Sequence, residues 1–298
     1  LQAGDHVLVT DAVYRPTRRL CQGLLKRMGV TTTFYPPGIG GQIETLIQPN
    51  TKLIWIESPG SLTFEVEDVP ALTAVARSRA ILTAIDNTWS AGVFFKPFAH
   101  GVDLSVQAMT KYQSGGSDAF GGAVIGTDTR ILGLLAAQAK ELGLVCPPDD
   151  AWLILRGLRS MPLRLAAQDA AARQIATWLA QRPEVAKVLH PALPGFEGHT
   201  LWTRDFTGAG GLFSIELAGG SVHRSHTLLN ALKLFGIGYS WGGYESLAIP
   251  GDPQIAQRAL PQSPRAGPLI RLQIGLESPE DLIADLEQAL SVWANTAD

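Results

Sequence analysis

Six short apolar runs, alternating with stretches of helical periodicity, constrain this chain more than any other feature. They lie at His6–Thr10, Thr31–Tyr35, Leu53–Glu57, Ile81–Asp86, Leu104–Thr110 and Ala123–Gly126. Helix-like segments such as Pro16–Met28 and Val69–Arg79 stand between several of them. Runs that are apolar at nearly every position suit strands buried on both faces. Alternation with helices is how a mostly parallel sheet is covered, so the pattern predicts an α/β fold. Ligands bind such sheets off the carboxyl ends of the strands. Asp86 and Lys111 stand at or just past the ends of two runs.

The second half reads differently. Residues 149–182 fit a long helix or helix pair, capped by Asp149 or Asp150 and broken near Pro162. Strands are expected at Val185–Leu189, Leu212–Leu217 and Leu269–Ile274, and helices at Arg224–Leu234 and Pro279–Trp293. The last helix carries Leu282, Leu286, Ala289, Leu290 and Trp293 on one face, a packing stripe. With 298 residues the chain has room for two domains, expected at 1–155 and 156–298.

Composition narrows the partners. A net charge of −3, with no long run of one sign, points away from nucleic acid and anionic membranes. Two cysteines far apart, Cys21 and Cys146, form no disulfide framework and suit a reducing, cytoplasmic setting. The longest apolar stretch, near Ile131–Ala139, is too short to span a bilayer, and no signal-peptide pattern opens the chain. It opens instead with Leu1 and runs almost directly into a strand, so a missing upstream segment is expected.

Several motifs compete for a function. No phosphate-loop or dinucleotide fingerprint is present, and "GAGG" at Gly208–Gly211 lacks the required spacing. His223 and His226 could share a helix face, but no further ligand stands at metal spacing, so a solvated face and no metal are expected. "GYSWG" matches the serine-hydrolase elbow around Ser240, yet no histidine follows it in the chain. Lysine chemistry fits better. Lys111 follows a buried strand and precedes a Gly-Ser loop, where burial can keep its amine partly neutral; the plain alternative is a surface lysine. A pyridoxal phosphate (PLP) site would also need a carboxylate for the ring nitrogen, hydroxyls for the phosphate and an aromatic face. Asp86 is the natural carboxylate, or else a strand-end turn residue, and Thr110 could serve the phosphate.

"AIDNTWSAG" followed by "DLSVQAMTKYQSGGSDAFGG" resembles the Cys/Met-metabolism family of PLP-dependent enzymes. "GDHVLVTDAVY", "ESPGSLTFEVEDVPAL", "LRGLRSMPLRL", "HPALPG", "RDFTGAGGLFSIEL" and "LIRLQIGLE" extend the resemblance over essentially the whole chain. It implies the PLP-dependent transferase fold type I (aspartate-aminotransferase-like), with a large, mostly parallel-sheet domain and a smaller C-terminal α/β domain. It also implies a homotetramer built as a dimer of dimers. "YSWGGYESL" and "ESPGS" are similar to the β-lyase branch; other branches carry a smaller residue at Trp241 and often Asn at Ser61.

By the same resemblance, Lys111 would carry the cofactor and move protons, and Asp86 would hold the ring nitrogen. Tyr14 would stack on the ring and share in proton transfer, and Thr110 would bind the phosphate. Arg271 would grip the substrate carboxylate, with Ser240 and Trp241 lining the substrate side. The implied reaction is α,β-elimination of an amino-acid thioether, L-cystathionine, to homocysteine, pyruvate and ammonia. This is a carbon–sulfur lyase step of methionine biosynthesis. Cystathionine γ-lyase, γ-synthase or cysteine-S-conjugate β-lyase chemistry are the alternatives inside the family. A non-catalytic protein of this fold and a serine hydrolase at Ser240 are those outside it. Two departures from the family pattern stand out. Ala108 replaces a phosphate-binding serine, and the family's phosphate loop and Tyr-x-Arg segment would lie upstream of Leu1.

Overall fold

The computed structural model describes residues 1–296. The first half builds one six-stranded sheet from β1 (His6–Thr10), β2 (Thr31–Tyr35), β3 (Thr51–Glu57), β4 (Leu82–Asp86), β5 (Leu104–Ala108) and β6 (Gly122–Gly126), in the order β2-β1-β3-β4-β5-β6. All pairs are parallel except β5–β6. The strands of the expected alternation are thus present, with β5 ending two residues earlier than its apolar run. After Ala108 the chain turns: the Lys111 N–H donates to Ala108 O and the Met109 N–H to Gly121 O.

The helices of this half differ more from expectation. The segment predicted over Pro16–Met28 starts as α1 (Arg15–Leu20) and widens into a π-helical turn over Cys21–Leu25. Next come α2 (Val69–Ser78) and α3 (Thr129–Glu141), the latter not anticipated. Asp68 caps α2 by accepting the Ala71 N–H, and Val69, Leu72 and Ala76 turn its apolar face into the core beside Ile54, Ile56 and Ile85.

The predicted helix pair is α4 (Pro148–Leu158) and α5 (Met161–Leu179). Its break falls at 159–160, and Pro162 sits in the first turn of α5, where its missing N–H costs no bond. Neither Asp149 nor Asp150 is the cap. Pro147 holds that position, and the Asp150 carboxylate instead accepts the Phe120 N–H.

Five further strands form the second sheet: β7 (Val185–Leu189), β8 (Leu212–Leu217), β9 (Gly236–Ile237), β10 (Leu247–Pro250) and β11 (Leu269–Gln273), in the order β7-β8-β11-β10-β9. Around it lie α6 (His199–Asp205), α7 (Val222–Ala231), α8 (Asp252–Ile255) and α9 (Pro279–Asn295). The stripe on α9 packs as expected, with Leu282, Leu286, Ala289, Leu290 and Trp293 buried against Ile270, Leu272 and α7. His223 and His226 are exposed on α7 with ring centroids 6.0 Å apart. Among the described residues no helix is long and apolar enough to cross a membrane.

Asp285, on α9, organises the approach to β9. Its buried carboxylate accepts the backbone N–H groups of Lys233, Leu234 and Phe235, the shortest at 2.7 Å. Without it, three backbone donors after α7, that of Phe235 buried and the other two partly so, would lose their partner. We expect Asp285→Ala to cost about 2–4 kcal/mol, and Asp285→Asn, which keeps one acceptor oxygen, distinctly less. Urea midpoints of the purified variants measure both.

Candidate active site

The parallel sheet brings its chemistry to one edge. Glu57 ends β3 and Asp86 ends β4, and the two are register partners across the pair. Both carboxyls are raised above their ordinary range. Burial is the main cause, and the neighbouring acid adds to it at Glu57, which stands well above. Asp86 Oδ1 accepts two bonds from Thr88, from its N–H at 3.0 Å and its hydroxyl at 2.6 Å, while Oδ2 accepts none from the described residues. The Thr88 hydroxyl oxygen also accepts the Ala108 N–H at 2.9 Å, which ties β4 to the start of the lysine turn. Glu57 accepts the Tyr14 N–H at 2.7 Å and so anchors the start of α1.

Lys111 rides the turn after β5. Its Nζ donates to Ser240 Oγ at 3.0 Å and lies 5.3 Å from the Trp241 ring centroid. Burial lowers its pKa to about 8, with a further push from Arg271 and a partial restoring pull from Asp86. The amine is therefore far closer to neutral at physiological pH than a solvated lysine.

The second sheet supplies the opposite wall. Arg271, on β11, is buried, and its Nη2 donates to the backbone oxygens of Gly238, Tyr239 and Ser240, at 2.9 Å for Tyr239. Its Nε is buried without a partner among the described residues, and burial lowers its pKa to about 10. The loop bearing Ser240 and Trp241 lies directly on the lysine turn. Gly242 has φ +80°, and a Cβ there would stand 2.9 Å from the Tyr112 nitrogen and 3.1 Å from Lys111. Tyr112 locks the arrangement from below. Its hydroxyl accepts the Gly211 N–H at 2.9 Å, and its ring meets Trp241 edge-on at 5.5 Å. The "GAGG" glycines are thus packing positions.

Tyr14, Asp86, Lys111, Trp241 and Arg271 line one cavity with Glu57, Ser61, Trp89 and Ala108. Ser240 joins them through its bond to Lys111; Thr110 is not among the lining residues. Ser240 sits in a loop between β9 and β10 and accepts from an amine, so it lacks both the strand-to-helix elbow and the imidazole of a hydrolase. Glu57 and Thr88 were not singled out from the sequence. Glu57 carried the same signal as Asp86, an acid closing an apolar run.

The sequence profile of the Cys/Met metabolism PLP-dependent enzymes matches residues 1–291. The chain is 45% identical over 294 residues to cystathionine beta-lyase MetC of Escherichia coli, covering 96% of this chain and 74% of that protein. It is 43% identical over 291 residues to cystathionine beta-lyase of Salmonella typhimurium, covering 96% and 73%. In three dimensions it superposes on the crystal structure of metB from Corynebacterium glutamicum with a TM-score of 0.92 at 31% identity, covering 98% of this chain and 76% of that one. The fold is therefore fold type I, as expected. From the profile match and the shared fold together, the chain belongs to the Cys/Met metabolism PLP-dependent enzyme family.

Proposed function

We propose that this protein is a carbon–sulfur lyase that cleaves L-cystathionine by α,β-elimination to homocysteine and 2-aminoacrylate, which water hydrolyses to pyruvate and ammonia. The observation that carries the reading is the single cavity in which a partly neutral lysine, a buried acid, an aromatic ring and a buried arginine converge. The residues fit PLP. Asp86 lines the cavity and keeps one oxygen without a hydrogen bond from the described residues, suited to a protonated ring nitrogen, and Lys111 offers the amine for covalent attachment. Tyr14 would lie against the ring, and Thr110 would contribute to the phosphate. When bound, the cofactor supplies an electron sink for the pair released at Cα.

The chain's own groups divide the remaining work. The Arg271 guanidinium holds the substrate α-carboxylate through the face its backbone contacts leave open, and so orients the Cα–H bond. The Lys111 amine removes that proton, since its depressed pKa keeps a basic form available. Ser240 Oγ receives the lysine N–H at 3.0 Å and holds it near the reacting carbon. Trp241 walls off water beside it. Lys111 or Tyr14 then protonates the departing thiolate, and the phenol's pKa, raised chiefly by burial, suits it to remain an acid. The β-lyase reading is favoured over γ-elimination by Trp241 and Ser61, both on the cavity wall.

In the same reading, residues 1–155 with β1–β6 form the cofactor-binding part and 156–298 the C-terminal part, the boundary falling within α4. Exposed Phe120, Leu134, Leu144, Val145, Trp152 and Leu163 support a homotetramer that covers them. The two free cysteines suit the cytoplasm.

Three outcomes follow. The purified chain with PLP should release pyruvate and homocysteine from L-cystathionine, and Lys111→Ala should lower that rate by about a thousandfold or more; release of 2-oxobutyrate and cysteine would instead mark a γ-lyase. Arg271→Leu should raise KM about 10- to 100-fold in steady-state assays, more than it changes kcat. Because the Lys111 amine is the form that reacts, its acetylation in the cofactor-free chain should rise with pH around a midpoint near 8. Competitive labelling read by mass spectrometry would place ordinary lysines about two pH units higher.

A further inference from the structure

A second cavity, of about 470 Å³, shares no lining residue with the one that holds Lys111. Its walls come from both sheets: Gly38 follows β2, Lys187 and Leu189 lie on β7, and Glu216 lies on β8. The volume is that of an ordinary small-molecule site. Its floor is apolar. Leu189, Phe196 and Ile255 are buried in the core cluster beneath, and Leu201 packs against it.

Most charges on its walls are already paired. Arg258 meets Glu65 at 2.8 Å and donates to the Ser61 carbonyl, Arg265 meets Asp252, and Asp11 meets Arg18. Lys187, Glu197 and Glu216 remain, with no ion pair among the described residues. Glu216 is buried; its Oε1 accepts the Ala266 N–H, and its Oε2 accepts nothing from the described residues.

The sheet places Lys187 and Glu216 together by a local irregularity. β7 carries one extra residue between Val185 and Lys187, a bulge against β8. Regular pairing onward from Val185 and Leu217 would set Lys187 opposite Ile215, which belongs to the core on the other face. The bulge sets it opposite Glu216 instead, on the cavity side. Partners across an antiparallel pair stand about 5 Å apart at Cα. Two opposite charges are thus neighbours over an apolar floor, and neither neutralises the other.

We infer that this cavity is a second binding site, for a free α-amino acid with an apolar side chain. The ligand's carboxylate meets the Lys187 ammonium, and its own ammonium meets Glu216 Oε2. Charges held so close together suit groups carried on one carbon atom. The side chain then lies on Leu189, Phe196, Leu201 and Ile255. The site goes beyond the lyase reading and does not rest on it.

Calorimetry on the full PLP-loaded protein tests it with L-norleucine, which has no leaving group on Cβ and is not consumed by elimination. Any binding beside Lys111 is common to every variant compared, so the readout is the binding equivalent that a variant loses. We expect Lys187→Gln and Glu216→Gln each to weaken about one equivalent per chain by at least about tenfold, and Lys187→Arg to retain it. N-acetyl-L-norleucine lacks the ammonium and L-norleucinamide lacks the carboxylate. Each should fill that site at least about tenfold more weakly. Lys187 is exposed, and Glu216→Gln keeps an acceptor for the Ala266 N–H, so both variants should fold with unchanged thermal midpoints. Norleucine binding that is the same in Lys187→Gln as in the unsubstituted protein overturns the site. So does an amide that fills the Lys187-dependent site as tightly as the amino acid.

Discussion

Parallel pairing puts the ends of neighbouring strands side by side, and every feature of the cavity depends on that. The β3–β4 register sets Glu57 opposite Asp86, two carboxyls whose pKa values burial raises. Thr88 and the Tyr14 N–H supply hydrogen bonds that partly offset that pressure. The same strand-end geometry brings in Lys111, because β5 pairs with β4 and then turns at once. The lysine thus meets an acid that favours its charge and an arginine that opposes it, and burial, the largest of the three influences, brings its pKa down to about 8.

The opposite wall is held by close backbone approach. Gly242 lets its loop rest against Lys111 and Tyr112 at a distance no side chain would permit. Tyr112 in turn binds Gly211, beside β8, and stacks edge-on with Trp241. Trp89 adds a bond from its indole to the Leu212 carbonyl at 3.0 Å. Arg271 spends one guanidinium nitrogen on three loop carbonyls, which holds Gly238–Ser240 over the lysine while its Nε has no partner among the described residues. An arginine on the cavity wall is thus also the anchor of the loop above it.

Much of this was legible in the chain itself, for identifiable reasons. Strands buried on both faces leave continuous apolar runs, so β1, β8 and β11, buried at every position, are legible with small errors at their ends. Short or half-exposed elements left no such trace. β9 has two residues and β10 four, and the helix α3 carries mixed periodicity with most of its surface exposed. At α4 the cap is Pro147 rather than an aspartate, because Asp150 serves the Phe120 N–H across a loop, a bond that no local pattern encodes. Within the cavity, the motif residues Tyr14, Asp86, Lys111, Trp241 and Arg271 do converge, whereas Thr110 stands outside its lining.

The order of residues by itself determined the alternating α/β pattern, the lysine after a buried strand and the acid at a neighbouring strand end, because burial and periodicity write directly into composition. It also carried the family's motifs along nearly its full length. Only the tertiary structure decided that Glu57 stands opposite Asp86, that Ser240 meets the lysine amine, and that Arg18 is paired with Asp11 while Arg15 and Arg19 form no ion pair among the described residues. Those outcomes depend on strand register and on a loop from a second sheet 129 residues away from Lys111, and distances set by packing leave no local mark in a sequence.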